Sequence, residues 1–151
     1  MGKITPFLWF DNQAEEAATF YTSVFKNSKV LSVNKGPDGK VMMTSFELEG
    51  QQFFALNGGP NFKFTEAISF FVSCDTQEEV DELWEKLSAH PESEQCGWLK
   101  DKYGLSWQII PNALMQLMGD KDQQKAGRVM QAMLKMKKIN VKVLQDAYDN
   151  A

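Results

Sequence analysis

The sequence holds one histidine, two cysteines and no apolar run long enough to cross a bilayer. Each scarcity removes a class of function. His90 precedes Pro91 in a polar stretch and has no serine or cysteine partner at a recognisable spacing, so it reads as a surface residue and not as half of a nucleophilic pair. Cys74 and Cys96 lack metal-type spacing. They fit a reduced, cytoplasmic setting, with a single disulfide as the alternative. Cys96, beside Gly97 and Trp98, reads either as a buried small side chain or as a reactive thiol. Met1-Gly2-Lys3 leads straight into a strand-like segment without a signal peptide, and no membrane partner is expected. Glycines never form a phosphate cradle ahead of a helix. Asn57-Gly58-Gly59-Pro60 reads instead as a rim loop whose backbone amides approach a ligand closely. The net charge of −4 argues against a nucleic-acid partner. Charge is uneven: residues 120–151 carry seven Lys/Arg against four Asp, which leaves −7 for the rest. That basic tail reads as a solvated helix face or a contact for an acidic neighbour.

What is present suffices for one domain of 151 residues, with 43% apolar content to build a core. Lys3 to Phe10 is largely apolar and predicts a strand covered on both sides, with Pro6 at an edge or bulge. Asn12 and Glu15 have capping-box spacing before an apolar stripe of Ala14, Ala17, Ala18, Tyr21, Val24 and Phe25, which predicts a helix. Strands follow over 29–34, 41–49 and 52–56, separated by turns at Gly36-Pro37-Asp38-Gly39 and Gly50.

The second half repeats this plan. A strand over 67–74 leads to Asp75-Thr76, where Thr76 and Glu79 again have capping-box spacing. Val80, Leu83, Trp84 and Leu87 then form a helical stripe. The two helix starts match at an offset of 63 to 64 residues, which predicts an internal repeat. After Pro111 the pattern turns helical. Asn112 is placed to cap residues 113–118. Val129, Met130, Met133, Leu134 and Met136 share a side over 122–136, and Asn140 is placed to cap a last helix with Val141, Leu144 and Tyr148. These short amphipathic helices need an apolar partner, either the sheet or a second subunit.

The stretch from Gly97 to Pro111 reads as strand, turn, strand. Asp101 to Gly104 supplies the turn, and Gly104 suits a positive φ. Leu105, Trp107 and Ile109 share an apolar face. Ser106, Gln108 and Ile110 share the other, which reads either as a pocket wall or as a solvated face. Most aromatics are expected in the core, whereas Phe62 and Phe64 suit a cavity mouth or a subunit contact.

Leu56-Asn57-Gly58-Gly59-Pro60, Ala67 to Val72, Cys96 to Asp101 and Gly104 to Gln108 together resemble the PhnB-like proteins. These belong to the glyoxalase/bleomycin-resistance/dioxygenase, or vicinal oxygen chelate, superfamily and are often labelled 3-demethylubiquinone-9 3-methyltransferase. The likeness is drawn over residues 3 to 149. It implies an α+β fold of two βαβββ modules, about 3–58 and 65–111, with C-terminal helices over about 112–149. It also implies a single domain with a cavity, usually in a homodimer. Metal-binding relatives place a His seven residues before the Asp that opens each helix and a Glu in the last strand. Here those places hold Ile4, Ile68 and Gln108, and the fourth strand offers Ala55, Leu56 or Asn57. Two isoleucines have no lone pair to donate, and a neutral amide is a poor ligand for Zn²⁺ or Fe²⁺. No metal and no cofactor are therefore expected.

The resulting expectation is a homodimeric, cytoplasmic binder of an unidentified small molecule, its cavity walled by Leu8, Phe10, Asn57, Phe70, Ser106 and Gln108 with Trp98 nearby. Asn57 and Gln108 would orient a polar group, and aromatic faces would hold an apolar part. The alternative is an enzyme: the methyltransferase of the family label, or a metal-independent lyase or isomerase. Its titratable group would be Asp101, Tyr103 or Cys96, with Asp101 structural in its turn. The residues show no adenosine-binding loop for S-adenosylmethionine.

Overall fold

The computed structural model describes residues 2–150, which divide between Phe64 and Thr65 into two compact units. The first unit runs β1 (Phe7–Phe10), α1 (Ala14–Val24), β2 (Lys29–Lys35), β3 (Val41–Leu48) and β4 (Gln51–Asn57). Its four strands lie in the order β1-β4-β3-β2, with β1 parallel to β4 and the other pairs antiparallel. The second unit runs β5 (Ser69–Cys74), α2 (Gln77–Leu87), β6 (Trp98–Lys100), β7 (Ser106–Pro111), α3 (Asn112–Met118), α4 (Gln123–Leu134) and α5 (Val141–Asp149). Its sheet has the order β5-β7-β6, again with a parallel outer pair.

The repeat is therefore present: α1 and α2 are both 11 residues long and start 63 positions apart. The second copy differs at one edge. Where the first has β2, residues 89–95 form a 3-10 turn at Pro91–Ser93 and a single bridge, Gln95 to Trp98. Ala89 still donates its N–H to the Lys100 carbonyl. Pro91 cannot donate to a ladder, and a polar run without alternation gives a regular strand no face to bury.

β1 is shorter than residues 3–10 and is not covered on both sides: Phe7 is 54% exposed, whereas Leu8 and Phe10 are buried. Pro6 precedes this edge strand, and its carbonyl accepts from Phe54 N–H. The Asn12–Glu15 capping box does not form. The residue before α1 is Gln13, with no side-chain cap, and the first helical N–H, that of Ala14, is taken by Asn57 Oδ1 at 2.8 Å. A cap from 43 residues away satisfies the orphan donor as well as a local one does. In α2 the local cap holds: Thr76 Oγ1 accepts from Glu79 N–H, and Glu79 Oε1 accepts from Asp75 N–H.

The C-terminal helices bury Leu114, Val129, Ile139 and Leu144 together with Ile110 at the end of β7, so this small core lies within the second unit. Asn140 caps α5 as its position predicts, and Asp122 caps α4. Asn112 is the first residue of α3 and no cap; its amide donates to Asp75 Oδ1 at 2.7 Å. Met130 and Leu134 do not join the buried stripe, and both are more than 40% exposed.

Candidate functional site

Side chains of laterally paired residues point to the same side of a sheet, so register assigns every residue a face. In the second sheet one face holds Phe70, Trp107, Ile109, Leu99 and Cys74. Leu99, Trp107, Ile109 and Cys74 are buried, as is the α2 stripe of Val80, Leu83, Trp84 and Leu87. The opposite face carries two rows ahead of a third, Ser73 and Ile110, whose Ile110 is buried against the C-terminal helices. Lys100, Ser106 and Ser69 form the first, and Trp98, Gln108 and Phe71 the second. This face is neither a core nor a fully solvated surface. Ser106 is 1% exposed, Trp98 and Gln108 are half-buried, and Phe71 is 49% exposed.

Ser106 Oγ has no hydrogen-bond partner among the described residues. Burying a hydroxyl without a partner costs about 1–3 kcal/mol, and such an atom calls for an explanation. Beside it, Gln108 Nε2 donates to Ser69 Oγ at 3.0 Å, which fixes the amide and leaves its carbonyl oxygen free to accept. Across the same row Lys100 Nζ pairs with Glu66, which holds the Glu66 carboxyl below its ordinary range. Ser106 and Gln108 thus occupy the face the sequence gives them, and Trp98 joins them.

Phe70 does not. It lies beside Trp107, ring centroids 5.6 Å apart, on the helix-covered face. The aromatic that shares a row with Gln108 is Phe71. The same parity correction applies in the first unit. Leu8, Phe10 and Asn57 pair with Ala55, Asn57 and Phe10 on the face that meets α1, where Tyr21 lies against Phe46. Leu8 and Phe10 are 6% and 3% exposed, and Asn57 donates to Val41 O as well as capping α1. The open face there holds Phe7, Trp9, Phe54 and Leu56. A slip of one residue exchanges the two faces. Phe7-Leu8-Trp9-Phe10 is apolar at all four positions, so alternation gives no warning. Ser69, Phe71 and Lys100 went unsuspected because their place beside Ser106 and Gln108 follows from strand pairing, which no local pattern encodes.

The Asn57-Gly58-Gly59 loop has a structural occupation. Gly58 and Gly59 donate their N–H groups to Phe10 O and Asp11 O, and Trp9 Nε1 donates to Gly59 O at 2.8 Å. A Cβ on Gly58 would come within 2.5 Å of the Trp9 ring, so the glycine admits an indole and not a ligand. Phe62 stacks edge-on against Trp9 while staying 64% exposed, and Phe64 meets Phe10 edge-on.

The titratable candidates separate clearly. Asp101 is fully buried. Its Oδ1 accepts from Tyr103 and Leu105 N–H, and its Oδ2 from Trp107 Nε1 at 2.9 Å, so the carboxylate organises the turn. Both cysteines are free. Burial pushes the Cys74 thiol up to about 12, which suppresses its thiolate. Cys96 sits at φ 52° ahead of Gly97, with its N–H donated to Met136 O. His90 lies 3.5 Å from Glu92 on the surface. The metal that the superfamily implies does not fit the residues present. Ile4 and Ile68 have no donor atom, the Asn57 amide is engaged, and no group of three or more His, Cys, Asp or Glu converges among the described residues.

Two sheets, each with a parallel outer pair and a helix lying between its first two strands in sequence, define the α+β fold of the glyoxalase/bleomycin-resistance class. Within that class the chain belongs to the PhnB-like family described as 3-demethylubiquinone-9 3-methyltransferase, whose model matches residues 2–110. The match spans the two sheets and ends before α3. The PhnB protein of Bacillus cereus, which carries the same methyltransferase description, is 39% identical; the alignment covers 73% of this chain and 99% of that one, with a TM-score of 0.64. Protein PA1353 from Pseudomonas aeruginosa is 16% identical over 74% of this chain and 98% of its own, TM-score 0.58, a likeness of fold alone. No curated protein matches the sequence.

Proposed function

We propose that the protein binds a small organic molecule on the open face of its second sheet, without a resident metal or cofactor. Gln108 and Ser106 orient the ligand's polar group, and Trp98 and Phe71 hold its apolar part. Leu8, Phe10, Asn57 and Phe70 support the strands from the helix-covered faces instead of touching ligand. The observation that carries this reading is the buried, unpartnered hydroxyl of Ser106 beside a fixed amide. We further propose a single cytoplasmic domain that works as a homodimer. The family resemblance supports the dimer, and two free cysteines support a reducing compartment.

Native mass spectrometry of freshly purified protein tests the binding site. A small-molecule adduct is expected in the parent protein and absent from Gln108→Leu. An adduct equally abundant in Gln108→Leu would move the site elsewhere. The family description favours a second reading, methyl transfer. Calorimetric titration with S-adenosylmethionine separates the two: the binding reading expects no heat of association, and saturable heat would favour the enzyme.

A further inference from the structure

We propose that the ligand is an aromatic carboxylate, its ring laid across Trp98, Gln108 and Phe71 and its carboxylate exchanging with Glu66 for Lys100. The assignment rests on the open face of the second sheet being the binding site.

The two rows on that face differ in kind. Trp98 and Phe71 flank Gln108 directly across the strands, giving a flat apolar strip with one amide at its centre, which suits a planar ring. The neighbouring row is polar and holds a cation, Lys100, with the Ser106 hydroxyl as its cross-strand partner. Equivalent residues two apart on a strand are separated by about 6.7 Å. That spacing matches a ring joined to a carboxylate by one or two methylenes.

The fold itself supplies the anion that identifies this chemistry. Glu66 reaches Lys100 from the segment ahead of β5, and its side chain is 63% exposed. The Lys100 side chain is 29% exposed, and a pair open to solvent on one side contributes little net stability, so a competing carboxylate has little to overcome. A ligand carboxylate offers Lys100 the same charge, and by displacing the groups that cover Ser106 it can also accept from that buried hydroxyl, for which the structure shows no partner. Glu66 therefore acts as an internal competitor: it keeps the lysine paired when the face is empty and yields when a better-placed carboxylate arrives.

The test uses 3-phenylpropionate and its uncharged amide, 3-phenylpropanamide, titrated into the full chain. The readout is the Trp98 indole N–H resonance, identified with Trp98→Phe. The acid is expected to bind at least about tenfold more tightly than the amide. Lys100→Met is expected to abolish that preference. Glu66→Gln, which removes the competitor, is expected to tighten the acid several-fold and leave the amide unchanged. If acid and amide shift Trp98 with equal affinity, or if Glu66→Gln leaves the acid unaffected, the carboxylate assignment is overturned while the open-face reading stands. If neither compound shifts Trp98, both fall.

Discussion

At corresponding points of their sheets, the two units carry opposite chemistry. Aligned on the last parallel pair before each helix, Phe10–Asn57 and Cys74–Pro111, the first sheet has Ser45, Phe54 and Phe7 where the second has Trp98, Gln108 and Phe71. One row along, it has Glu47 and Gln52 where the second has Lys100 and Ser106. The helix-covered faces, by contrast, stay largely apolar in both, Thr44 and Asn57 being the polar members of the first. Duplication kept the packing against α1 and α2 and let the other face diverge; in the second unit the C-terminal helices bury only its Ile110 end. The buried hydroxyls make the same point. Ser45 Oγ meets Ser32 Oγ at 2.6 Å, supplied by a fourth strand that the second unit has reduced to a turn, and Ser106 has no equivalent.

The hairpins offer the largest contrast to break. In the first unit β3 turns into β4 through Glu49 and Gly50, both at positive φ, so the backbone makes the turn. In the second unit the turn depends on a side chain, since Asp101 takes three donors in a buried position. Asp101→Ala leaves those donors unpaired and is expected to cost about 3–5 kcal/mol in chemical denaturation. Glu49→Ala is expected to stay within about 1 kcal/mol. Equal losses would show that the two turns are not built differently.

Helix initiation is the next contrast. α2 is capped by a neighbour and α1 from the far end of β4. Thr76→Ala removes one local cap and is expected to cost about 1 kcal/mol. Asn57→Ala removes the α1 cap and the bond to Val41 O together, and is expected to cost about 2 kcal/mol in the same assay. If Thr76 proved the costlier, a distant cap would be the weaker device.

This contrast also marks how far the sequence could be read. Strand and helix order, the repeat and the Asp101 turn were legible because each rests on a local signature: period, capping residue, positive-φ glycine. The Thr76 cap was legible for the same reason. The Asn57 cap was not, since its partner lies 43 residues away. Ser106 and Gln108 could be placed on one face from β7 alone. Phe70 and Leu8 could not be placed correctly, because uniformly apolar strands carry no phase and only pairing register supplies it.

The smallest expected effect is the most discriminating. In a core hydroxyl that holds structure together, Ser→Ala destabilises; Ser45, bonded to Ser32, is that case, and its alanine variant is expected to lose about 1 kcal/mol. Ser106 is as deeply buried but unpartnered, so its alanine variant removes an uncompensated desolvation penalty and is expected to be neutral or up to about 1 kcal/mol more stable. Measured together by thermal and urea unfolding, the pair should separate, Ser45→Ala losing stability and Ser106→Ala losing none. Stability gained by deleting a buried polar atom marks a position retained for something other than folding. The same Ser106→Ala protein should then show weakened 3-phenylpropionate binding at the Trp98 resonance. A Ser106→Ala variant as destabilised as Ser45→Ala would mean that the hydroxyl has a structural partner, and the open face would lose its strongest claim to a ligand.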